Sequence, residues 1–406
     1  MSRLYVWTDL WGQPLLVGAT EVQTVAGEFR YSAAYLSSGR PALDPKNLPL
    51  TEAPVTTGAN KGIFGVLGDA GPDTWGKRVL ANLHPKRMST AAPLDVLALS
   101  GGGGTGALLF SQSKDSVKPR IVYPTPAQLG AAAEGMHAVE QGLPLRAQVR
   151  ELLQAGTSLG GVNPKIAVAD DTGAWIAKFR APDDVADTPR IETVCLELAR
   201  ECGINAVKAT HTAIAQRSCI LIERFDRGPR GFARHYASAH AIWNRDRINP
   251  QRDATTWYSY MGIADMIREH MSESAKEDCA ELFRRMALNV IIGNTDDHGK
   301  NHGFVMGPEG RWRLSPAFDL APPIVAQATQ HSMGIGAQGE VRSIENALSM
   351  STKFVATPSR GQHLLQGVAT VVARRYRALL AKHDVSGVDR DLAMARVMLP
   401  DGVALH

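Results

Sequence analysis

The sequence predicts an α+β protein: a β-rich N-terminal module, then a small mixed lobe, then a larger and mostly helical lobe. Three observations carry that prediction. Short strand-like runs broken by Gly, Asp and Ser fill the first 112 or so residues. From about residue 150 a glycine-rich loop leads into a tight hairpin, one helix and further strands. Beyond about residue 226 apolar residues recur at three- and four-residue spacing, the period of an amphipathic helix. The expected boundaries are 1–112 for the module, 113–149 for a connecting region with a helix in it, 150–225 for the small lobe and 226–406 for the helical lobe.

Composition sets the outer limits. The chain has 406 residues, 44% hydrophobic and 21% charged, with a formal net charge of +4. That is ordinary globular composition with material for a sizeable core, which excludes a disordered, collagen-like or disulfide-stapled chain. The nearly balanced charge argues against a protein that coats nucleic acid over its whole surface. Cys195, Cys202, Cys219 and Cys279 form no C-x-x-C pair and lie in apolar segments, so buried free thiols are expected. The opening residues lack the apolar run of a signal peptide, and no apolar stretch reaches about 18 residues, so no membrane span and a cytoplasmic location are expected.

Within the module, Leu4–Trp7, Pro14–Gly18 and Phe29–Tyr31 read as strands, and Asp73 to Leu83 as a helical patch. The run Gly101–Gly106 satisfies G-x-G-x-x-G, but only the brief strand-like Ala107–Phe110 follows it. A dinucleotide site needs a helix opening there, so a turn closing the module is the better account.

The second loop, Gly156-Thr157-Ser158-Leu159-Gly160-Gly161-Val162-Asn163-Pro164-Lys165, fails the P-loop pattern because Val162 stands where lysine should. It leads into a strand from Lys165 to Ala169, an Asp170–Gly173 turn and a return strand from Ala174 to Phe179 that carries Lys178. A glycine loop on a hairpin with a strand lysine is how protein kinases hold ATP phosphates, Gly160 and Gly161 approaching through backbone and Lys178 through charge. The plainer reading of Lys178 is an outward lysine on an exposed strand. A helix from Pro189 to Cys202 follows, with Thr188 as cap, Gly203 as stop, and Ile191, Val194, Cys195 and Leu198 on one face. The buried-strand run Cys219–Ile222 then ends in Glu223-Arg224-Phe225-Asp226-Arg227. A strand that ends in a polar linker is where a kinase hinge would read adenine, around Glu223 to Phe225; the alternative is a strand end with solvated charges.

The densest chemistry lies between 282 and 320. Leu282, Phe283, Met286, Ala287, Val290 and Ile291 share a helix face that stops at Gly293-Asn294. The loop Thr295-Asp296-Asp297-His298-Gly299-Lys300-Asn301-His302 follows, then a hairpin around Gly307–Gly310, then Pro316-Ala317-Phe318-Asp319. Asp296 to Asn301 keeps the D-x-x-x-x-N interval of a kinase catalytic loop, and the hairpin returns a second aspartate. Asp296 suits the acceptor of a hydroxyl proton; Asn301 and Asp319 suit oxygen ligands of magnesium. Asp297 and His302 read as loop-stabilising residues, and His298 as packing near a nucleotide. The rival is zinc held by His298 and His302 with Asp296 or Asp297, which needs a helix that Gly299, Asn301 and Gly303 oppose. The run Arg374-Arg375-Tyr376-Arg377 reads as a solvated helix face before it reads as a contact to DNA phosphates.

These blocks together resemble the HipA family of bacterial toxin kinases. The resemblance is carried by Ser158–Lys165, Leu221–Arg227, Gly293–Asn301, Pro316–Asp319 and the module end Gly106–Phe110, and the N-T-D-x-H-x-K-N block is its most specific part. It implies a two-lobe, phosphatidylinositol-kinase-like fold and an ATP- and Mg2+-dependent Ser/Thr kinase. By that likeness Lys178 contacts the phosphates, Glu223 and Phe225 form the hinge, Asp296 is the base, and Asn301 and Asp319 bind magnesium. It further implies autophosphorylation at Ser158, with Thr157 adjacent, and a helix-turn-helix antitoxin that brings the kinase to operator DNA. The implied target is a protein of the translation machinery such as an aminoacyl-tRNA synthetase. From another class, the alternative is a nucleotide-binding corepressor that mainly holds an antitoxin on its operator. Unlike protein kinases at large, the chain has no arginine before Asp296 and carries Phe-Asp-Leu where they have Asp-Phe-Gly.

Overall fold

The structure is a computed structural model that describes residues 3–24, 26–100, 102–119, 121–154, 161, 163–228, 233–244, 258–324 and 329–405. Strands β1 (Arg3–Thr8), β2 (Leu15–Gln23), β3 (Ala26–Tyr31) and β4 (Val55–Thr57) precede helix α1 (Thr74–Leu83) and strand β5 (Leu108–Ser111). Helices α2 (Leu129–Glu140) and α3 (Ala147–Gln154) lead to β6 (Lys165–Asp170), β7 (Gly173–Phe179) and helix α4 (Thr188–Glu201). Next come β8 (Ala209–Ile214), β9 (Arg217–Glu223), β10 (His235–Ser238), and helices α5 (Ala239–Trp243), α6 (Tyr260–Met266) and α7 (Ala275–Ile292). The hairpin strands β11 (Gly303–Met306) and β12 (Trp312–Leu314) and the long helix α8 (Pro358–Lys382) follow. The chain divides into two units, Met1–Phe179 with Ala213–Asp246 and Phe304–Trp312, and Arg180–Thr212 with Arg247–Gly303 and Arg313–His406.

In the first unit the three predicted strands pair as an antiparallel meander in a five-stranded sheet of order β4-β3-β2-β1-β5. Leu4 and Val6, two residues apart on β1, are both fully buried, as period-two alternation requires. A second sheet runs β6-β7-β9-β8, with β6 and β7 joined by the expected turn in which Asp170 Oδ1 accepts from Thr172 N–H at 2.7 Å. One core joins the module to this sheet. Trp75 and Val79 of α1, Met136 of α2 and Leu153 of α3 pack with Ile166, Val168, Ala177, Phe179 and Cys219. Truncating a residue such as Trp75 there would cost about 3–5 kcal/mol.

One feature of the region after residue 226 departs from its helical pattern. β10 joins β11 and β12 in a three-stranded sheet, and the His235 ring packs edge-on at 5.3 Å from Trp312. The short α5 after β10 starts where Ser238 caps it, with Asp69 accepting from Ser238 Oγ at 3.0 Å.

The second unit is helical. All six residues of the predicted α7 face are fully buried, as are Ile191, Val194, Cys195 and Leu198 on α4. The α4 cap lies one residue earlier than predicted: Asp187, not Thr188, accepts from Arg190 N–H at 3.2 Å, because both residues can cap and the aspartate reaches the free amide. In α8 Tyr376 is buried and Arg375 forms a fork with Glu201 at 2.6 and 2.8 Å on the surface, the solvated-face reading of that run. All four cysteines are free; burial pushes the thiols of Cys195, Cys202 and Cys219 up to about 12 and that of Cys279 up to about 11. Among the described residues no helix is long and apolar enough to cross a membrane.

Candidate active site

The glycine loop is described only at its end. Thr157, Ser158 and Gly160 lie outside the described residues. Gly161 has φ +97, a conformation that favours glycine. Its N–H donates to Asp73 Oδ2 at 3.3 Å and its carbonyl accepts from the Trp75 backbone N–H at 3.1 Å. In the β6–β7 ladder Lys165 stands directly opposite Lys178, so the two residues share one sheet face. Lys165 is buried and Lys178 half-buried.

At the end of β9, Glu223 is exposed and pairs across to Trp175, while Phe225 is half-buried with its ring tilted against Tyr236 at 5.9 Å. The neighbouring charges are not solvated. Arg224, Asp226 and Arg227 are all buried. Asp226 accepts from Arg224 Nε at 2.9 Å and Nη2 at 2.7 Å, from Gly106 N–H at 2.8 Å, and lies 3.3 Å from Arg227 Nη1. Arg227 Nη2 donates to the carbonyls of Gly104 at 2.8 Å and Gly106 at 2.6 Å. The glycine run that closes the module is therefore the seat of the segment that follows β9. An added Cβ at Gly104 would stand 2.1 Å from the Ala70 carbonyl oxygen, so only glycine brings its backbone this close. Burial opposes ionisation of Asp226, but the two guanidinium charges and the hydrogen bonds outweigh it and hold the carboxyl far below its ordinary range.

The second unit carries the D-x-x-x-x-N loop. Helix α7 ends at Gly293, whose left-handed φ of +74 turns the chain out of the helix. Asn294 then donates to Asn289 Oδ1 at 3.1 Å, and Ser332 N–H and Oγ donate to the Thr295 carbonyl at 2.9 and 3.2 Å. Asp296 is exposed; Asp297 points into the core. Asp297 Oδ2 accepts from Asn289 Nδ2 at 2.9 Å, meets His302 Nε2 at 2.7 Å and accepts from the Tyr260 hydroxyl. Burial penalises the Asp297 charge, and the His302 imidazole and these donors more than offset it, leaving the carboxyl below its ordinary range. The adjacent aspartates thus have opposite surroundings: one tethers the loop and the other is offered to solvent.

Asn301 is buried and its N–H closes a turn on the His298 carbonyl at 2.9 Å; His298 is half-buried, its Nδ1 enclosed and without a hydrogen-bond partner among the described residues. The chain returning from β12 is pinned along its length. Asp278 accepts from Arg313 Nη2 at 2.9 Å and Leu314 N–H at 3.0 Å, and Arg285 Nη2 donates to the Ser315 carbonyl at 2.8 Å. Ala317 exchanges backbone bonds with Asn205 and Val207 at 2.7 and 3.0 Å. Asp319 follows, exposed and at φ +59, a conformation that costs on the order of 1–3 kcal/mol outside glycine and concentrates at functional sites. Zinc finds no such setting: the loop is not helical, His302 Nε2 is committed to Asp297, and no three His, Cys, Asp or Glu side chains gather as metal ligands among the described residues. Asn301 and Asp319 offer hard oxygen donors, the set magnesium prefers. Sequence reasoning missed Tyr260, Asn289 and the Gly104–Gly106 seat, which act over separations no local pattern reports; the closely spaced charges of Arg224, Asp226 and Arg227 were the available signal for buried ions.

Residues 8–111 match the model of the HipA N-terminal domain, and residues 157–376 match that of the HipA-like C-terminal domain. The chain belongs to the HipA-like family. This HipA-like chain is 24% identical over 217 residues to a provisionally named kinase of Haemophilus influenzae, a match covering 47% of this chain and 63% of the relative. It is 25% identical over 166 residues to Y4dM, a provisionally named kinase of Sinorhizobium fredii, covering 37% of this chain and 38% of that protein. The matches thus span less than two thirds of these relatives' lengths. In fold it is similar to HipA of the toxin–antitoxin system of Shewanella oneidensis MR-1, solved with HipB and its operator DNA. The TM-score is 0.67 at 17% identity, over 94% of this chain and 93% of that one.

Proposed function

We propose that this HipA-like chain is an ATP- and Mg2+-dependent Ser/Thr protein kinase that acts as the toxin of a toxin–antitoxin pair. The observation that carries the reading is the loop from Asp296 to Asn301, braced from within by Asp297 so that Asp296 is held toward solvent. Asp296 accepts the proton of a substrate serine or threonine hydroxyl as its oxygen attacks the γ-phosphorus and the bond to the β-bridging oxygen breaks, releasing ADP. Lys178 supplies a positive charge for the phosphates, and the backbone and ring around Glu223 and Phe225 receive adenine, with His298 packing near the nucleotide. Asn301 and Asp319 would hold magnesium, which when bound supplies charge neutralisation at the phosphates. Most of the rate enhancement then comes from positioning and electrostatics.

Autophosphorylation at Ser158, or at adjacent Thr157, would place nearly two negative charges where ATP phosphates bind and so restrain the kinase. The partner is a helix-turn-helix antitoxin, with operator DNA reached through that complex, and the target is a translation protein such as an aminoacyl-tRNA synthetase. The likeness in fold to a HipA solved with HipB and operator DNA supports the antitoxin partner, and it equally favours the corepressor alternative. Incubation with labelled ATP and magnesium separates the two. The kinase reading expects label on the chain or on lysate proteins; ATP binding without any transfer favours the corepressor. Intact mass after ATP exposure tests Ser158, and a Ser158→Ala chain that still inhibits itself would overturn that regulation.

A further inference from the structure

We propose that Asp73 and Trp75, in the N-terminal module, are positioning residues for the phosphate-binding end of the kinase hairpin. The proposal rests on the kinase reading above and extends it to residues outside the matched C-terminal domain.

Helix α1 leaves its first N–H groups without intrahelical partners, as every helix does. Here the Trp75 N–H is satisfied by the Gly161 carbonyl at 3.1 Å. The capping side chain divides its two oxygens: Asp73 Oδ1 accepts from Thr74 N–H at 2.9 Å, and Oδ2 accepts from Gly161 N–H at 3.3 Å. Both backbone groups of Gly161 are therefore committed to the start of α1. Four residues on, the Trp75 indole Nε1–H donates to the Lys165 carbonyl at 2.9 Å. Three bonds from one helix terminus thus fix the chain at both ends of 161–165.

The seat is rigid on its own side. Trp75 is fully buried in the core shared with Ile166, Val168 and Phe179. Gly161 suits the position because its φ of +97 favours glycine, and an added Cβ would in addition have to displace the tip of Lys165, 2.3 Å away at Nζ. Since Lys165 faces Lys178 across the ladder, fixing Gly161 and Lys165 also sets where the glycine loop returns relative to Lys178. A carboxylate already bonded to the Gly161 amide makes that amide a fixed post and leaves phosphate recognition to other groups. Loss of the post lets the loop end wander and weakens phosphate contacts while leaving adenine contacts alone.

The test uses the full chain and compares wild type with Asp73→Ala, Asp73→Asn, Trp75→Phe and Asp95→Ala. Asp95 caps a different helix of the module through the Ala92 amide at 3.0 Å, so its loss reports general weakening of the module. Losing a charge-assisted bond should weaken ATP binding about tenfold in Asp73→Ala, with adenosine binding within about twofold of wild type. The ATP KM should rise by a similar factor with kcat little changed, Asp73→Asn and Trp75→Phe should lie between, and Asp95→Ala should match wild type. Without nucleotide, hydrogen exchange at the Gly161 amide should quicken in Asp73→Ala only. Wild type that binds ATP while Asp73→Ala binds it equally well or more tightly overturns the proposal alone, as does equal weakening of ATP and adenosine. Wild type that binds no ATP overturns the kinase reading and this proposal together.

Discussion

Replacing Asp226 by Asn tests how the first unit holds the segment after β9. The substitution keeps the side-chain volume and one acceptor oxygen, so packing hardly changes. It removes the negative charge that the buried Arg224 and Arg227 share, at 2.7 and 3.3 Å. Guanidinium groups do not give up their protons, so two buried cations lose the anion they share. Removing one partner of a buried pair costs about 3–5 kcal/mol, and an anion shared by two buried cations puts the expectation in the upper part of that range. For a unit of this size each kcal/mol moves the midpoint by roughly 2–4 °C, so thermal unfolding at pH 7 should fall by roughly 8–20 °C. The wild-type advantage also has a pH signature. A depressed folded pKa gives stability that is complete above the ordinary carboxylate range and is lost as pH falls toward the folded value, so the gap should narrow below about pH 4. A folded Asp226→Asn protein whose midpoint shifts by less than about 2 °C at pH 7 would refute this account of the cluster.

Other outcomes follow from the same geometry. A fragment beginning at residue 113 loses Trp75, Gly104 and Gly106 together, and expression tests should find it insoluble while the full chain is soluble. Asp297→Ala strands His302, Tyr260 and Asn289, so it should lower stability by about 3 kcal/mol and abolish phosphoryl transfer although Asp297 touches no substrate; a stable, active variant would contradict the bracing role. His235 and His331 are buried, and burial lowers both to about 4, so each favours the neutral ring and its contribution is present above about pH 6.5 and lost as pH falls toward 4. Urea midpoints at pH 7.5, 6 and 5 should decline steadily, and His235→Gln should flatten the decline; an unchanged slope would count against it.

What the sequence made legible is what neighbours in the chain determine. The β1–β3 strands, the β6–β7 hairpin and the buried faces of α4 and α7 are written in local periodicity, and Gly293 marks a helix end by the one property glycine has. The Asp296–Asn301 interval is likewise a local feature, since spacing along the chain alone defines it. The supports are not. Asp226 finds Gly106 across 120 residues and Gly161 finds Asp73 across 88, and nothing at either end announces the other. The strand β10 escaped because its four buried residues follow no alternation, being covered on both faces. The alternative of a strand end with solvated charges after Glu223 does not hold, because Arg224, Asp226 and Arg227 are buried against partners more than a hundred residues away.

Phosphoryl transfer from γ-labelled ATP with magnesium, compared between the full chain and Asp296→Asn, tests the kinase assignment most directly. A kinase with Asp296 as its base should label protein as wild type and lose at least about a thousandfold in Asp296→Asn, while ATP still binds both. Equal labelling by the two proteins, or none by a wild type that binds ATP, would contradict it.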